Sequence, residues 1–201
     1  MENKKLERVF KKGSKTYYNS SIFFPKKIRE DVSTLYGFVR IADDFVDSIP
    51  QQKNEFYEFK SQYEDALDGN PSNDVIIDSF ITLMEERNFD QEWVDAFLHS
   101  MELDIIKNSY ETIDNLKEYL YGSAEVIGLM MAKIMDLPKA SYDPAMHLGR
   151  SMQYINFIRD IEEDLRLNRS YFPIEEMEQF GLPDLNLSTI SKLKLNFNTF
   201  I

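Results

Sequence analysis

Apolar residues recur at intervals of three and four positions through residues 26–48, the pattern of one face of a long α-helix. Pro25 stands where a first helical residue is favoured, and Pro50 stands where a helix must already have ended. Similar patterns predict helices over residues 53–68, 74–87, 90–108, 114–135 and 143–167, with short helices near 174–180 and from about 188. Runs of β-branched residues of strand length are nearly absent. We therefore predict an all-α protein built as a bundle of antiparallel helices.

Composition supports this fold class and narrows the function. The 201 residues include only seven glycines and seven prolines, too few for many strands joined by tight turns. Acidic residues outnumber basic ones 35 to 23, for a net charge of −12, which argues against nucleic acid and against a membrane surface bound by charge alone. There is no cysteine, so disulfides, zinc–thiolate sites and thiol catalysis are excluded. The N-terminus lacks an apolar stretch of signal-peptide length, and we expect a cytoplasmic protein.

Two pairs of aspartates are spaced four residues apart on predicted helices: Asp43 with Asp47, and Asp160 with Asp164. Residues at i and i+4 share one helix face, so each pair brings like charges together at a cost of roughly 0.2–0.5 kcal/mol on an isolated helix. Chance pairing on a solvated face is one explanation. Each pair, however, borders a strongly apolar segment, which favours a site. Because Mg²⁺ is usually held by a few carboxylates together with substrate phosphates, we predict a magnesium site.

An arginine accompanies each aspartate pair. Arg40 precedes Asp43 by three residues, and Arg159 is adjacent to Asp160. A guanidinium group can bind diphosphate oxygens with two parallel hydrogen bonds, but it can equally form a salt bridge with the neighbouring carboxylate. The residues alone leave both interpretations open.

Two long motifs resemble those of the squalene/phytoene synthase family. YGFVRIADDFVD (Tyr36–Asp47) resembles its first aspartate-rich motif, and QYINFIRDIEEDLRLNRSYFP (Gln153–Pro173) resembles the second, with its following arginine–aromatic–proline turn. YLYGSAEVIGLMM (Tyr119–Met131) is similar to the small-residue helix between them. The N-terminal segment that closes over the diphosphate in the family is matched by Ser14, Lys15 and Tyr17. Order and spacing agree from about residue 10 to about residue 180.

The resemblance implies a helical bundle of the isoprenoid synthase type with a central cavity. It also implies a head-to-head (1′-1) condensation of two allylic prenyl diphosphates through a cyclopropylcarbinyl diphosphate. Mg²⁺, with Mn²⁺ as a substitute, would be bound by Asp43, Asp47, Asp160 and Asp164. The catalytic positions implied by the family are Tyr36, Arg40, Tyr119, Gln153 and Asn156. The implied substrate-binding positions are Ser14, Tyr17, Arg40, Arg159, Arg169 and Tyr171.

Several functions remain open at this stage. We favour a phytoene synthase-like reaction on geranylgeranyl diphosphate, because the pattern looks more like the carotenoid branch and no added reductase segment is visible. A squalene or dehydrosqualene synthase using farnesyl diphosphate is the alternative, with NADPH only for squalene. A trans-prenyltransferase, a terpene cyclase and a non-catalytic helical assembly relative are further alternatives. The expected partners are prenyl diphosphates, with peripheral membrane contact for product release.

Three expectations concern the rest of the chain. No linker or repeat divides residues 1–201, so we expect one domain. Family members carry further helices after the second motif, and we expect that these are missing here and that an oligomer or partner covers the open side. Glu125, inside the small-residue helix, should pair with Lys133 or an arginine or support the diphosphate site. We expect Asp104, with Glu102 nearby, to be a surface charge.

Overall fold

The computed structural model describes the backbone of residues 2–201 and the side chains from residue 6 onward. Within this range there is no strand. The helices are α1 (Glu2–Gly13), α2 (Lys15–Ser21), α3 (Lys26–Asp47), α4 (Lys53–Leu67), α5 (Val75–Arg87), α6 (Gln91–Ile106), α7 (Ile113–Leu120), α8 (Val126–Ile134), α9 (Tyr142–Arg159), α10 (Ile161–Arg166), α11 (Ile174–Gln179), α12 (Leu187–Lys192) and α13 (Lys194–Phe200). A π-helical turn, Tyr121–Glu125, joins α7 to α8, and a 3₁₀ turn, Lys139–Ser141, precedes α9. The predicted all-α class is confirmed.

Two of the predicted long helices are interrupted. The helix predicted over 114–135 contains the π-helical turn between α7 and α8. The helix predicted over 143–167 breaks at Asp160, whose φ of −102° and ψ of 11° depart from α-helical values. The break divides α9 from α10, with Asp160 at the break and Asp164 within α10. The N-terminal helices α1 and α2 were not predicted from the pattern.

The hydrophobic core is built around α3 and its aromatic contacts. Phe38 stacks on Phe80 of α5 with ring centroids 3.9 Å apart and an interplanar angle of 9°. Phe59, Tyr63 and Phe97 surround the same ring. Full burial of one such side chain contributes roughly 1.5–3 kcal/mol. Helices α4, α5 and α6 are thereby held against α3, which fixes the helix carrying the first aspartate pair.

Glycines bring α6, the π-helical turn, α8 and α9 into backbone contact. A Cβ atom on Gly122 would lie 2.1 Å from the backbone oxygen of Ala96, and one on Gly149 would lie 2.4 Å from that of Ala124. Nearby, Arg150 of α9 donates from Nε to Oε1 of the buried Glu125 at 2.7 Å. The expectation that Glu125 pairs with an arginine is therefore confirmed.

The surface of the bundle includes exposed apolar residues. Helix α9 exposes Leu148 and Ile155, each at 63% of its full accessibility, along one face. In the turn after α2, Phe23 is 90% exposed. Across residues 2–201, none of the helices combines the length and apolar character needed to cross a bilayer.

Gly122→Ala should lower the free energy of unfolding by about 1–2 kcal/mol, because overpacking against the Ala96 backbone outweighs the higher helix propensity of alanine. Urea unfolding followed by circular dichroism measures the change. Ser123→Ala is the matched control in the same turn. It removes a buried hydroxyl that has no hydrogen-bond partner in the described part of the chain, so stability should be unchanged or higher. Equal stability of Gly122→Ala and the wild type would contradict the close-packing argument.

Candidate active site

The first wall of the candidate site is the C-terminal half of α3. Arg40 donates from Nη1 to Oδ2 of Asp43 at 3.0 Å and pairs through Nη2 with Oδ1 of Asp44 at 2.5 Å. Burial of the Asp43 carboxyl and repulsion from Asp47 raise the pKa of Asp43 to about 8, although Arg40 acts in the opposite direction. Arg40 therefore forms the salt bridge, and the three aspartates of this wall outnumber it.

The second wall is formed where α9 gives way to α10. Arg159 donates from Nε and Nη2 to the two carboxylate oxygens of Asp160, at 2.7 and 2.5 Å. Asp164 lies one turn further on and is more enclosed, with its side chain 14% exposed. Burial and repulsion from Asp47 raise the pKa of Asp164 to about 7, while Arg169 acts to lower it. Asp164 thus faces Asp47 across the site, whereas Asp160 is held by its own neighbour.

Arg169 connects the two walls. Its side chain is only 4% exposed, and its Nη2 donates to Oδ1 of Asp47 at 2.5 Å. Oδ1 of Asp164 lies 3.7 Å from the same nitrogen. The chain turns back after α10 through Asn168, whose φ is +57°, and the backbone N–H of Arg169 donates to the carbonyl of Asp164 at 2.9 Å. This reversal places the guanidinium between the two aspartate motifs.

Asp104 is the residue that sequence analysis misplaced. It is 5% exposed and accepts hydrogen bonds from the hydroxyls of Tyr171, at 2.6 Å, and Tyr119, at 3.0 Å. The prediction of a surface charge is wrong, because Asp104 follows the buried Phe97 and Met101 at helical spacing and so lies on the inner face of α6. That periodicity was the signal available in the sequence.

Burial is also the main influence on the protonation of Asp104. It raises the pKa of Asp104 to about 7, although Arg169 and the hydrogen bond from Tyr171 both act to lower it. Glu102, its neighbour in sequence, is partly exposed and lies 3.2 Å from Lys60. The two acidic residues of this segment therefore occupy different environments.

An aromatic stack holds the tyrosines that bind Asp104. The rings of Phe157 and Tyr171 are 4.5 Å apart and nearly parallel, at 8°. The ring of Tyr119 lies 4.8 Å from that of Tyr171. Phe157 is on α9, so the stack joins the second motif helix to α7. The hydroxyls of Tyr119 and Tyr171 are consequently fixed in direction as well as in position.

The predicted catalytic residues of α9 and α3 occupy the surrounding surface. Asn156 donates from Nδ2 to Oε1 of Gln153 at 3.1 Å. Tyr36 is half-buried against Phe10 of α1, with ring centroids 4.4 Å apart. Burial raises the pKa of Tyr36, so its hydroxyl remains protonated at neutral pH.

The N-terminal segment approaches both walls. Ser14 caps α2 by accepting a hydrogen bond from the backbone N–H of Tyr17 at 3.2 Å. Tyr17 itself is 45% exposed, and it is close enough to Tyr36 and Arg159 to affect their pKa values. The structure therefore brings Tyr17 near residues of both motifs, whereas Ser14 has a local capping role.

The carboxylates of the site suit a hard divalent cation, and its arginines suit an anionic ligand. Among residues 6–201, no three acidic or histidine side chains already form a metal-binding cluster. The carboxylates of Asp43, Asp47 and Asp164 are nevertheless oxygen ligands of the kind that Mg²⁺ prefers. Burial, together with repulsion from Asp47, raises the pKa values of Asp43 and Asp164, although Arg40 and Arg169 act in the opposite direction. An added cation would relieve that repulsion.

The sequence profile of the squalene/phytoene synthase family matches residues 10–192. The chain therefore belongs to the squalene/phytoene synthase family. It is 30% identical over 190 residues to a phytoene synthase of Cereibacter sphaeroides, covering 87% of this chain and 52% of that protein. It is 28% identical over 179 residues to a 15-cis-phytoene synthase of a Paracoccus species, covering 84% and 59%. The chain thus spans somewhat more than half the length of these relatives.

Solved structures agree with the fold. A crystal structure of a dehydrosqualene synthase in complex with ligand superposes with a TM-score of 0.82 at 25% identity, covering 99% of this chain and 73% of that one. A squalene synthase from Alicyclobacillus acidocaldarius gives a TM-score of 0.78 at 19% identity, covering 99% and 81%. The isoprenoid synthase type of helical bundle is thereby confirmed.

The pKa values of the site predict how stability depends on pH. Asp43, Asp104 and Asp164 have folded-state pKa values of about 7 to about 8, above the value near 4 of an unfolded aspartate. The stabilisation of the folded state by these protonated aspartates is fully present below pH 4 and is lost as pH rises through their folded-state pKa values. The free energy of unfolding should therefore fall between about pH 4 and pH 8. Asp43→Asn should flatten this fall, as measured by thermal melts across the range. Parallel pH profiles for variant and wild type would contradict the assigned pKa.

Proposed function

We propose that this chain carries the catalytic machinery for a Mg²⁺-dependent head-to-head (1′-1) condensation of two allylic prenyl diphosphates. The observation that carries the proposal is the convergence of the two aspartate motifs on one buried cation. Asp47 of the first motif and Asp164 of the second lie 2.5 and 3.7 Å from Nη2 of Arg169. A pair of facing acidic walls is the arrangement needed to bind a diphosphate through metal ions.

The carboxylates proposed to hold Mg²⁺, or Mn²⁺ in its place, are Asp43, Asp47, Asp160 and Asp164. The bound metal would supply charge neutralisation to the departing diphosphate, which is the main catalytic requirement. Arg40 pairs with Asp43 and Asp44, and Arg159 pairs with Asp160. Both arginines are partly exposed, so they can exchange these carboxylates for diphosphate oxygens. Arg169, Tyr171, Ser14 and Tyr17 complete the proposed substrate-binding set.

Loss of diphosphate from one substrate leaves an allylic cation. The double bond of the second substrate attacks it, and loss of a proton closes the ring of a cyclopropylcarbinyl diphosphate. Ionisation of this diphosphate, rearrangement and loss of a second proton give the hydrocarbon; if the product is squalene, a hydride from NADPH takes the place of this second proton loss. The rings of Tyr36 and Tyr119 are suited to stabilise such cations by cation–π attraction. Gln153 and Asn156 hydrogen-bond to one another, and their match to the family motif supports a place for both amide groups at the site. The protonated hydroxyl of Tyr36 excludes it as a base at neutral pH and favours a role in hydrogen bonding or charge stabilisation.

The identity of the prenyl chain separates two candidate reactions. Relatives named phytoene synthase, at 30% and 28% identity, favour geranylgeranyl diphosphate and phytoene. The structural match to a dehydrosqualene synthase at 25% identity favours the second candidate, condensation of farnesyl diphosphate. NADPH would be needed only if the product were squalene.

We also propose that the N-terminal part of the chain makes peripheral contact with anionic membranes. Residues 1–30 contain nine basic and three acidic residues, although the whole chain has a net charge of −12. The exposed Phe23 is followed by Lys26, whose side chain is 81% exposed. An apolar tip beside basic residues suits a negatively charged lipid surface. Such contact would give a hydrocarbon product a route into the bilayer.

Incubation with each prenyl diphosphate, with and without NADPH, and mass analysis of the products tests the reaction. Phytoene from geranylgeranyl diphosphate without NADPH is the expected result. Squalene formed only with NADPH would identify farnesyl diphosphate, not geranylgeranyl diphosphate, as the substrate. Full turnover in EDTA would contradict the metal role.

Variants of the two walls provide the matched test of the metal ligands. Asp43→Asn and Asp164→Asn should each lower turnover by at least about 100-fold, because each removes charge that a bound metal requires. The helical circular dichroism signal should remain close to that of the wild type. Asp114→Asn is the control: Asp114 is exposed and pairs with Lys117 at the surface, so this substitution should leave turnover unchanged. Activity like that of the wild type in either wall variant would reject the assignment.

Phe23→Ser should weaken binding to vesicles containing anionic lipid by about tenfold, because the variant loses the free energy of burying one aromatic side chain. Co-sedimentation with the vesicles measures this binding. Leu195→Ser, on α13 and 79% exposed, is the control for loss of an exposed apolar residue elsewhere. An equal effect of the two substitutions, or none, would contradict the proposed contact.

A further inference from the structure

Arg169 is buried without satisfying all of its donors. Its side chain is 4% exposed, and Nη2 is bonded to Asp47. Its Nε and Nη1 have no hydrogen-bond partner among the residues described. More than about 90% of buried polar groups in proteins are paired, so two open donors on one guanidinium indicate a group that has a second position or a further partner.

Two other carboxylates lie just beyond hydrogen-bond distance of the same guanidinium. Oδ1 of Asp104 is 3.6 Å from Nη1, and Oδ1 of Asp164 is 3.7 Å from Nη2. A movement of about 1 Å towards Asp104 would bring Nη1 within ordinary hydrogen-bond distance. The cation therefore lies among three carboxylates while bonding only one of them.

Of these three carboxylates, Asp104 is the most firmly held. Both of its oxygens are held, by the hydroxyls of Tyr119 and Tyr171, and its side chain is 4% exposed. The guanidinium carbon of Arg169 also lies 5.7 Å from the centre of the Tyr171 ring, which favours a cation on that side. Asp47, in contrast, has a side chain that is 39% exposed and open to exchange.

We propose that Arg169 is a displaceable internal counter-ion: it neutralises Asp47 and Asp164 until Asp47 takes a divalent cation, and then withdraws towards Asp104. Asp104 is the positioning residue that holds the guanidinium inside the site in both states. The inference rests on the proposed metal-binding role of Asp47 and Asp164. It adds that the Arg169 guanidinium competes with the metal ion for these two carboxylates.

This arrangement has a consequence for the order of binding. A divalent cation alone must replace an existing ion pair at Asp47, so its affinity is reduced by the free energy of that pair. A diphosphate arriving with the cation supplies oxygens that can accept hydrogen bonds from the guanidinium donors. Arg169 would thus favour binding of metal and diphosphate together over binding of metal alone.

Titration of the full chain with Mn²⁺, without substrate and followed by electron paramagnetic resonance of the free ion, tests the proposal. Arg169→Gln should bind Mn²⁺ about tenfold more tightly, and Asp104→Asn several-fold more weakly, since the guanidinium then turns fully to Asp47 and Asp164. Arg166→Gln is the control, because Arg166 is exposed and paired with Glu162. It should change the affinity by less than about twofold.

A double substitution separates displacement from a general effect of charge. Asp104 acts through Arg169 in the proposal, so Asp104→Asn should have little effect on Mn²⁺ affinity in the Arg169→Gln background. Additive effects of the two substitutions would overturn the positioning role. Arg169→Lys keeps the charge but loses the planar guanidinium group, so its affinity for Mn²⁺ should lie between those of the wild type and Arg169→Gln. It replaces Arg169→Gln in the test if that variant folds poorly.

The outcomes distinguish this inference from the proposed function. Wild-type binding of Mn²⁺ with an unchanged or weaker affinity in both Arg169 variants would reject the counter-ion and leave the metal role intact. Absence of Mn²⁺ binding in every variant, together with turnover that does not need metal, would reject the metal role and this inference with it.

Discussion

The neutralisation of buried carboxylates by a single guanidinium is the interaction on which the site depends. Asp104 and Asp164 come from different helices and are largely removed from water, with Asp47 at the edge. Burying such charges without a counter-ion costs several kcal/mol each. Arg169 makes their approach possible, and it reaches them because the chain reverses after α10. The charge balance therefore links α3, α6 and α10 through one side chain.

The apolar core and the polar site have complementary roles in this arrangement. The stacked Phe38 and Phe80 fix α3 against its neighbours, so the aspartates at its C-terminal end cannot separate from the second wall by tilting. The glycine contacts at Gly122 and Gly149 set the distance between α6, the π-helical turn and α9. The aromatic stack around Tyr171 then fixes the positions of the Tyr119 and Tyr171 hydroxyls that donate to Asp104. Rigidity of this kind preorganises charges before a substrate arrives.

The sequence predicted the helices well because apolar periodicity is a local property. It also predicted that each aspartate pair would share a helix face, which holds for Asp43 and Asp47 on α3, whereas the break at Asp160 separates Asp160 from Asp164. It did not predict the break at Asp160 or the contact of Arg169 with Asp47, which depend on tertiary packing. The prediction for Asp104 is wrong because an aspartate is usually exposed, whereas this one lies on the apolar face of α6. A buried aspartate at a core position indicates a partner, and here the partners are distant in sequence.

Charge also explains why metal and substrate belong together in the proposed reaction. Arg40 and Arg159 each pair with adjacent carboxylates, and Arg169 is held by Asp47. Each of these arginines therefore has a carboxylate partner, although Arg169 keeps two donors open. A diphosphate brings further negative charge into a chain whose net charge is −12. Its binding between these walls requires added cations that take over the carboxylates and free the guanidinium groups. Divalent cations bound by the same aspartates meet both needs, because each one neutralises the wall and attracts the diphosphate at the same point.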